Sequence, residues 1–186
     1  MMQTTWGSLV SGLDLKPGES LLVHGATSSI GLCALQLART LGATRVAGTT
    51  RNGAREQMLL DCGANEVFVD SGEIADQVAQ SHKGSFDKVL ELNGATALRD
   101  SLRCAVTKGT VCMTGIQGGW WELDQFCPMS DLPNRVRLCA YGGGRGCGGC
   151  HEMPFEQIVK DVEEGRVKIT VEQFKLDEIQ EGPSYP

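Results

Sequence analysis

The chain has 186 residues and a formal net charge of −6, with 41 % hydrophobic and 22 % charged residues; this suits one domain with a full core and excludes wholesale disorder. The acidic balance argues against a general nucleic-acid or anionic-membrane binder. No apolar run nears the roughly 18 residues of a membrane-spanning helix, and Met1–Leu15 lacks the basic start and apolar core of a signal peptide, so a cytoplasmic protein is expected.

Glycine is abundant, at 24 residues, and aromatics are only 5 %, which favours an α/β protein with tight strand-to-helix turns over a β-sandwich. Apolar runs at Ser20–His24, Arg45–Thr49, Glu66–Val69, Lys88–Glu91 and Thr110–Thr114 read as strands. Their starts lie 25, 21, 22 and 22 residues apart, the rhythm of β-α units. None alternates cleanly, as expected when both sheet faces are covered. Between them, Ile30–Leu41 puts Ile30, Ala34, Leu37, Ala38 and Leu41 on one helical face, with Gln36, Arg39 and Thr40 elsewhere, and Gly42 ends it. Asn52–Cys62 repeats the plan with Ala54, Met58, Leu59 and Cys62, closed by Gly63. Ile74–Ser81 and Thr96–Ala105 are weaker helices. Pro154–Glu164 is strong, with Phe155, Ile158, Val159 and Val162 expected inward and Gly165 after it. Between Gly115 and Pro154 the chain reads as loops around one strand, Arg135–Tyr141.

The segment Ser20–Gly31, SLLVHGATSSIG, carries the most chemistry. A strand, a turn of small residues and a helix N-terminus aim backbone N–H groups and a positive dipole at an anion such as a pyrophosphate. The spacing G-x-G-x-x-G falls on Ala26-Thr27-Ser28-Ser29-Ile30-Gly31, with only its last glycine present; no Lys follows, which disfavours a nucleoside triphosphate site. The alternative is a small-residue turn with no ligand. About twenty residues further on, where an NAD-selective site carries an acid, the chain has Thr49-Thr50-Arg51, with Arg55 one turn on. Two hydroxyls and an arginine suit a 2′-phosphate instead. A solvated arginine at a helix start is the alternative for Arg51.

Much of the chain resembles the cofactor domain of the medium-chain dehydrogenase/reductase superfamily, zinc-independent NADPH:quinone oxidoreductase type. The resemblance rests on Thr4–Leu9, Leu15–Glu19, Leu22–Gly31, Phe86–Glu91, Gly109–Gly115 and Pro154–Ile169, in that order and spacing. It implies a Rossmann doubly wound parallel sheet of order 3-2-1-4-5-6, with NADPH as cofactor and a quinone, enone or carbonyl as hydride acceptor. It also implies a homodimer formed through the edge strand 135–140. Residues 1–186 would be one dinucleotide-binding domain, with 1–15 as its hinge helix. Thr4 would lie beside the nicotinamide. Ser28, Ser29 and Ile30 would meet the pyrophosphate, and Thr50 and Arg51 the adenosine phosphate. Leu92, Asn93, Thr114 and Gly115 would line the cofactor. No residue is assigned as catalytic and no metal is expected.

Two stretches depart from that family: a Gly- and Cys-rich loop at 142–153 and a tail at 180–186. The family's GroES-like substrate domain, ahead of the equivalent of Thr4, is also not in this sequence. The expectation is therefore the cofactor half of an oxidoreductase; the alternative is a stand-alone NADP(H)-binding or interaction module without turnover. Within the loop, Cys147-Gly-Gly-Cys150-His151 formally matches a haem-attachment pattern and offers zinc-ligand types with Cys139. A labile dithiol is a further alternative, and a flexible loop with incidental cysteines is the favoured reading. His24 is expected as a strand-end core histidine, His82 as solvated, and Trp120-Trp121 as packing against a partner subunit or as the cap of a cleft.

Overall fold

The computed structural model describes residues 1–142 and 153–169 of the chain. Its centre is a six-stranded, all-parallel sheet, ordered β3-β2-β1-β4-β5-β6. The strands are β1 (Ser20–His24), β2 (Arg45–Thr50), β3 (Glu66–Val69), β4 (Phe86–Glu91), β5 (Ala105–Met113) and β6 (Arg137–Ala140). The expected doubly wound order is therefore present, with β3 and β6 at the edges. The central strands are buried almost throughout, which is why they read as apolar runs without alternation.

Helices cover both faces. On one face lie α1 (Met2–Trp6), which continues as a π-helical segment (Gly7–Gly12), and α2 (Ser29–Thr40) and α3 (Glu56–Asp61). Leu9, Leu13, Leu35, Leu37 and Leu59 pack there on Leu21, Val23, Val46 and Leu90. The other face carries α4 (Ala75–Gln80) and α5 (Ala95–Arg103), whose Ile74, Val78, Leu98 and Leu102 meet Leu22, Val89 and Val111. α6 (Pro128–Asp131) precedes β6, and α7 (Phe155–Glu163) follows it. At the amino edge, Asp87 Oδ2 accepts bonds from both Ser20 N (2.9 Å) and Ser20 Oγ (2.6 Å), fixing β1 against β4. The expected closing glycines, Gly42, Gly63 and Gly165, all have left-handed φ.

Several expectations need correction. β6 starts two residues later than Arg135, because Arg135 itself is left-handed (φ 65°) and ends a turn in which Val136 N donates to Pro133 O. β5 begins earlier than Thr110, at Ala105, through an irregular stretch where its register with β4 shifts and Lys108 is left-handed. The helix expected from Asn52 opens as a 3₁₀ turn at Gly53–Arg55, capped by the Asn52 side chain accepting from Ala54 N. Gln36, expected outward, is buried, because its amide bonds both the N–H and the C=O of Lys168. On α7, Ile158 is buried but Phe155 and Val159 are exposed; the inward stripe is rotated toward Asp161, which Arg166 and Gln157 hold by hydrogen bonds. Trp120 and Trp121 are 68 % and 70 % exposed and line a cavity with Ala95, Thr96 and Arg99, which leaves both expected roles open to them.

Candidate functional site

In an open parallel sheet, ligands sit at the carboxyl ends of the strands where the order reverses. Here the reversal lies between β1 and β4. The turn after β1 begins at Gly25, whose φ of +89° favours glycine. Its N–H donates to Thr49 Oγ1 at the end of β2 (2.9 Å), and its carbonyl accepts from Gln117 Nε2 beyond β5 (3.2 Å). A Cβ there would stand 2.7 Å from Asn93 Oδ1 beyond β4. Gly25 is thus the point where the ends of β1, β2, β4 and β5 converge.

The turn closes with Ser28 Oγ donating to Gly25 O and accepting from Gly31 N, both at 3.1 Å, which caps α2. The first intrahelical bond runs from Leu32 N to Ser28 O. Helix geometry then leaves the N–H groups of Ser29 and Ile30 open at the positive end of the dipole. Gly31 lets the helix lie against the turn: a Cβ there would be 2.5 Å from Ala26 O. Ala26 is fully buried beside Gly48, while Thr27 is half-buried and Ser29 exposed.

Thr49 and Thr50 are buried and already engaged: Thr49 holds Gly25, and Thr50 Oγ1 donates to Asn52 O and accepts from Asn52 N. Arg51 is exposed, with no hydrogen bond or ion pair among the described residues. It lines a cavity of about 480 Å³ together with Asp70, Asn93, Thr96 and Gln117. Arg55 is exposed and does not reach that cavity. Leu92 turns its side chain into the core, while its carbonyl accepts from Gln117 N (3.0 Å). Gly115 passes so close that a Cβ would lie 2.4 Å from Leu92 O. Farther along the edge, Ser8 Oγ donates to Thr4 O (2.8 Å) and meets Thr114 Oγ1 at 2.9 Å, joining α1 to the end of β5.

Beneath this edge lies a buried polar cluster. His24 bonds Ser101 Oγ through Nδ1 (2.7 Å) and Asp70 Oδ2 through Nε2 (3.1 Å), and Glu91 Oε2 stands 3.1 Å from Nδ1. Burial alone would depress the imidazole pKa; hydrogen bonds to the Asp70 and Glu91 carboxylates outweigh it and lift the pKa to about 9. Asp70 is held below the usual carboxylate range, first by His24 and also by the Gly72 N–H. Ser101 also donates to Glu91 Oε2. Through Oε1, Glu91 accepts from Asn93 N (2.5 Å) and Gly94 N (2.9 Å), shaping the β4–α5 loop. The histidine is thus a core residue, as expected, and also the anchor of the loop that faces Gly25.

The structure thus brings Ala26–Gly31, Thr49–Arg51, Leu92, Asn93, Thr114, Gly115 and Thr4 to one edge of the sheet; Arg55 stays apart. Sequence reasoning missed Gly25, Asp70 and Gln117. The signal for Gly25 was present as Gly25-x-x-Ser28-x-x-Gly31, one residue out of step with the pattern that began at Ala26. Gln117 lies in a loop with no distinguishing pattern. No group of three or more His, Cys, Asp or Glu able to hold a metal occurs among the described residues. Cys147, Cys150 and His151 lie outside them.

Residues 29–160, more than half the chain, match the zinc-binding dehydrogenase family. The chain belongs to that family. Among curated relatives, it is 33 % identical over 119 residues to a quinone oxidoreductase of Pongo abelii, covering 62 % of this chain and 35 % of that one. It is 30 % identical over 118 residues to a geraniol dehydrogenase of Castellaniella defragrans, covering 62 % and 31 %. The chain thus matches about a third of the length of these dehydrogenase-family relatives. A quinone oxidoreductase of Pseudomonas syringae pv. Tomato DC3000 superposes with a TM-score of 0.76 at 21 % identity, covering 97 % of this chain and 57 % of that one. An alcohol dehydrogenase zinc-binding domain protein from Burkholderia ambifaria superposes with a TM-score of 0.78, also at 21 % identity, covering 97 % and 48 %. At that identity the superpositions establish the shared fold alone. No helix of the described residues is long and apolar enough to cross a membrane.

Proposed function

We propose that the chain is the cofactor-binding half of an NADPH-dependent oxidoreductase of the quinone-reductase type, acting on a quinone or an activated alkene or carbonyl. The observation that carries the reading is the convergence at Gly25, with two open amides at Ser29 and Ile30 on one side and the Arg51 cavity on the other. A pyrophosphate suits that turn because the helix amides are left open there, while Gly25 and Gly31 let the backbone close tightly where a Cβ would collide. When bound, the nicotinamide supplies a hydride. The chain's own residues hold and orient. Ser28 fixes the turn, and the amides of Ser29 and Ile30 meet negative charge. Arg51 supplies the one unpaired cation lining the cavity among the described residues and favours a 2′-phosphate over a bare hydroxyl. Asp70 lines the same cavity, yet its carboxylate is already taken by His24 and Gly72 N, so it is poorly placed to select a ribose hydroxyl. Thr4, Ser8 and Thr114 form the hydroxyl-bearing end at which an acceptor would approach.

The test is a fluorescence titration of the purified chain with NADPH and with NADH. Tighter binding of NADPH supports the reading; binding of neither overturns it. The readings of residues 1–186 as one domain, of a dimer formed through the β6 edge, and of a cytoplasmic protein belong to this proposal. Among the described residues no strand pairs with the outer side of β6, and such an open backbone row supports the dimer.

A further inference from the structure

We propose that Cys112 and Cys139 are a peroxide-oxidisable dithiol whose disulfide ties the edge strand β6 to β5. The two cysteines are register partners on neighbouring parallel strands. Paired residues on adjacent strands have Cα atoms about 4.7–4.9 Å apart, inside the roughly 4.4–6.8 Å that a disulfide spans. Partners in register project to the same face, and both sulfurs join the apolar cluster under α2 and the π-helical segment. Each thiol shifts the titration of the other, as close neighbours do.

Gly12 sits over the pair. Its carbonyl accepts from Cys139 Sγ at 3.2 Å, and a Cβ at that position would be 2.7 Å from Cys112 Sγ. Only a residue without a side chain leaves room for two sulfurs at this point. The partners are unequal in access. Cys112 is fully buried, whereas Cys139 is half-buried at the sheet edge. The neighbouring Cys112 thiol lowers the Cys139 pKa, whereas Cys139 and burial raise that of Cys112. The accessible sulfur is therefore also the one that ionises first, the arrangement of an attacking and a resolving thiol. Of the other described cysteines, Cys33 and Cys62 influence one another only through charge and are not register partners on neighbouring strands, Cys104 is buried and donates to Asp100 O, and Cys127 is exposed.

The oxidant is a peroxide. The Cys139 thiolate attacks a peroxide oxygen; the O–O bond breaks and a sulfenic acid forms as hydroxide leaves. The Cys112 sulfur then attacks the Cys139 sulfur. The S–O bond breaks, and hydroxide leaves to take up the Cys112 proton as water. Two thiols and one hydrogen peroxide become one disulfide and two waters, with two electrons passing from sulfur to oxygen.

The experiment treats the chain with hydrogen peroxide, blocks remaining thiols by alkylation and digests with trypsin without reductant. The expected product joins Leu138–Arg145, which carries Cys139, to Gly109–Arg135, which carries Cys112 and Cys127. Fragmentation should place the bond on Cys112, and dithiothreitol should release it. Cys127→Ser should retain the link and Cys139→Ser should lose it. In Cys112→Ser the sulfenic acid should persist at Cys139 and be trapped by dimedone. Recovery of Leu138–Arg145 alkylated after Cys127 has been oxidised overturns the proposal. A bond to Cys127, Cys147 or Cys150, or a Cys139–Cys139 bond between two copies on a non-reducing gel, also overturns it. Mapping of the unsubstituted chain decides the matter even if a variant does not fold.

Discussion

His24 Nε2 stands 3.1 Å from Asp70 Oδ2, joining the end of β1 to the residue after β3 across the intervening β2. The imidazole is 1 % exposed, so the contact is scarcely screened by solvent. Its other nitrogen faces Ser101 and Glu91, and Glu91 in turn fixes the loop opposite Gly25. The charge state of one buried histidine therefore bears on the geometry of the whole sheet edge.

The sign of the resulting pH dependence follows from the raised value. His24 titrates near 9 in the folded chain against a reference of 6.5, so its contribution is fully present below about pH 6.5 and is lost as pH rises toward 9. A shift of that size corresponds to roughly 3 kcal/mol. Urea unfolding at about pH 6 and about pH 9 should show a clear fall in stability. His24→Gln, though less stable overall, should show a much shallower one. Parallel slopes for the two proteins would mean that the imidazole is not charged in the fold.

Gly25→Ala should be worse than Gly18→Ala, although both positions are left-handed. At Gly18 a Cβ meets nothing within 4 Å, so only backbone strain of about 1–2 kcal/mol is expected. At Gly25 the Cβ also meets Asn93 Oδ1 at 2.7 Å, which must displace the β4–α5 loop. Thermal unfolding should rank Gly18→Ala above Gly25→Ala, and the Gly25 variant should also lose cofactor affinity. Equal stability of the two variants, with binding intact, would contradict the convergence described for that turn.

The backbone frame was legible in the sequence because buried parallel strands are apolar runs bounded by turn residues. Ser20–His24 and Glu66–Val69 were read to the residue. What escaped was set by distant partners. Gln36 looked like a solvent-facing residue of α2 until Lys168, 132 positions away, took its amide. The His24 cluster joins residues 46 and 77 positions apart, and buried polar pairs leave no periodic trace. The start of β5 at Ala105 reads as polar and irregular because its register with β4 shifts there. The Thr49–Arg51 segment was legible as part of the site. Its division of labour was not, since both hydroxyls are spent on the backbone and only Arg51 faces the cavity.

That division sharpens the proposed NADPH preference into a single substitution. Arg51→Ala should weaken NADPH binding by about ten- to a hundredfold, the loss of one charge-assisted contact of roughly 1.5–3 kcal/mol. NADH binding should change little. Arg51 is exposed and has no hydrogen bond or ion pair among the described residues, so thermal stability should stay within about 0.5 kcal/mol. Equal weakening of both nucleotides would show that Arg51 acts on the site's shape and not on a 2′-phosphate. Arg55→Ala, outside the cavity, serves as the control for loss of surface charge.

The proposed function also separates binding from turnover. The adenosine and pyrophosphate contacts come from the β1 turn and the ends of β2 to β4, all present here, so these 186 residues by themselves should bind NADPH. The acceptor end rests on fewer groups: Thr4, Thr114 and Gly115 are only half-buried, and the chain matches about a third of the length of its oxidoreductase relatives. An acceptor that is not enclosed is not oriented, and orientation with exclusion of water accounts for several kcal/mol of an enzymatic barrier. NADPH oxidation with a simple quinone should therefore run far below the roughly 1–10³ per second of complete enzymes, while the same preparation binds NADPH in the titration. Turnover within that range would show that a second copy, or a segment outside the described residues, closes the acceptor end.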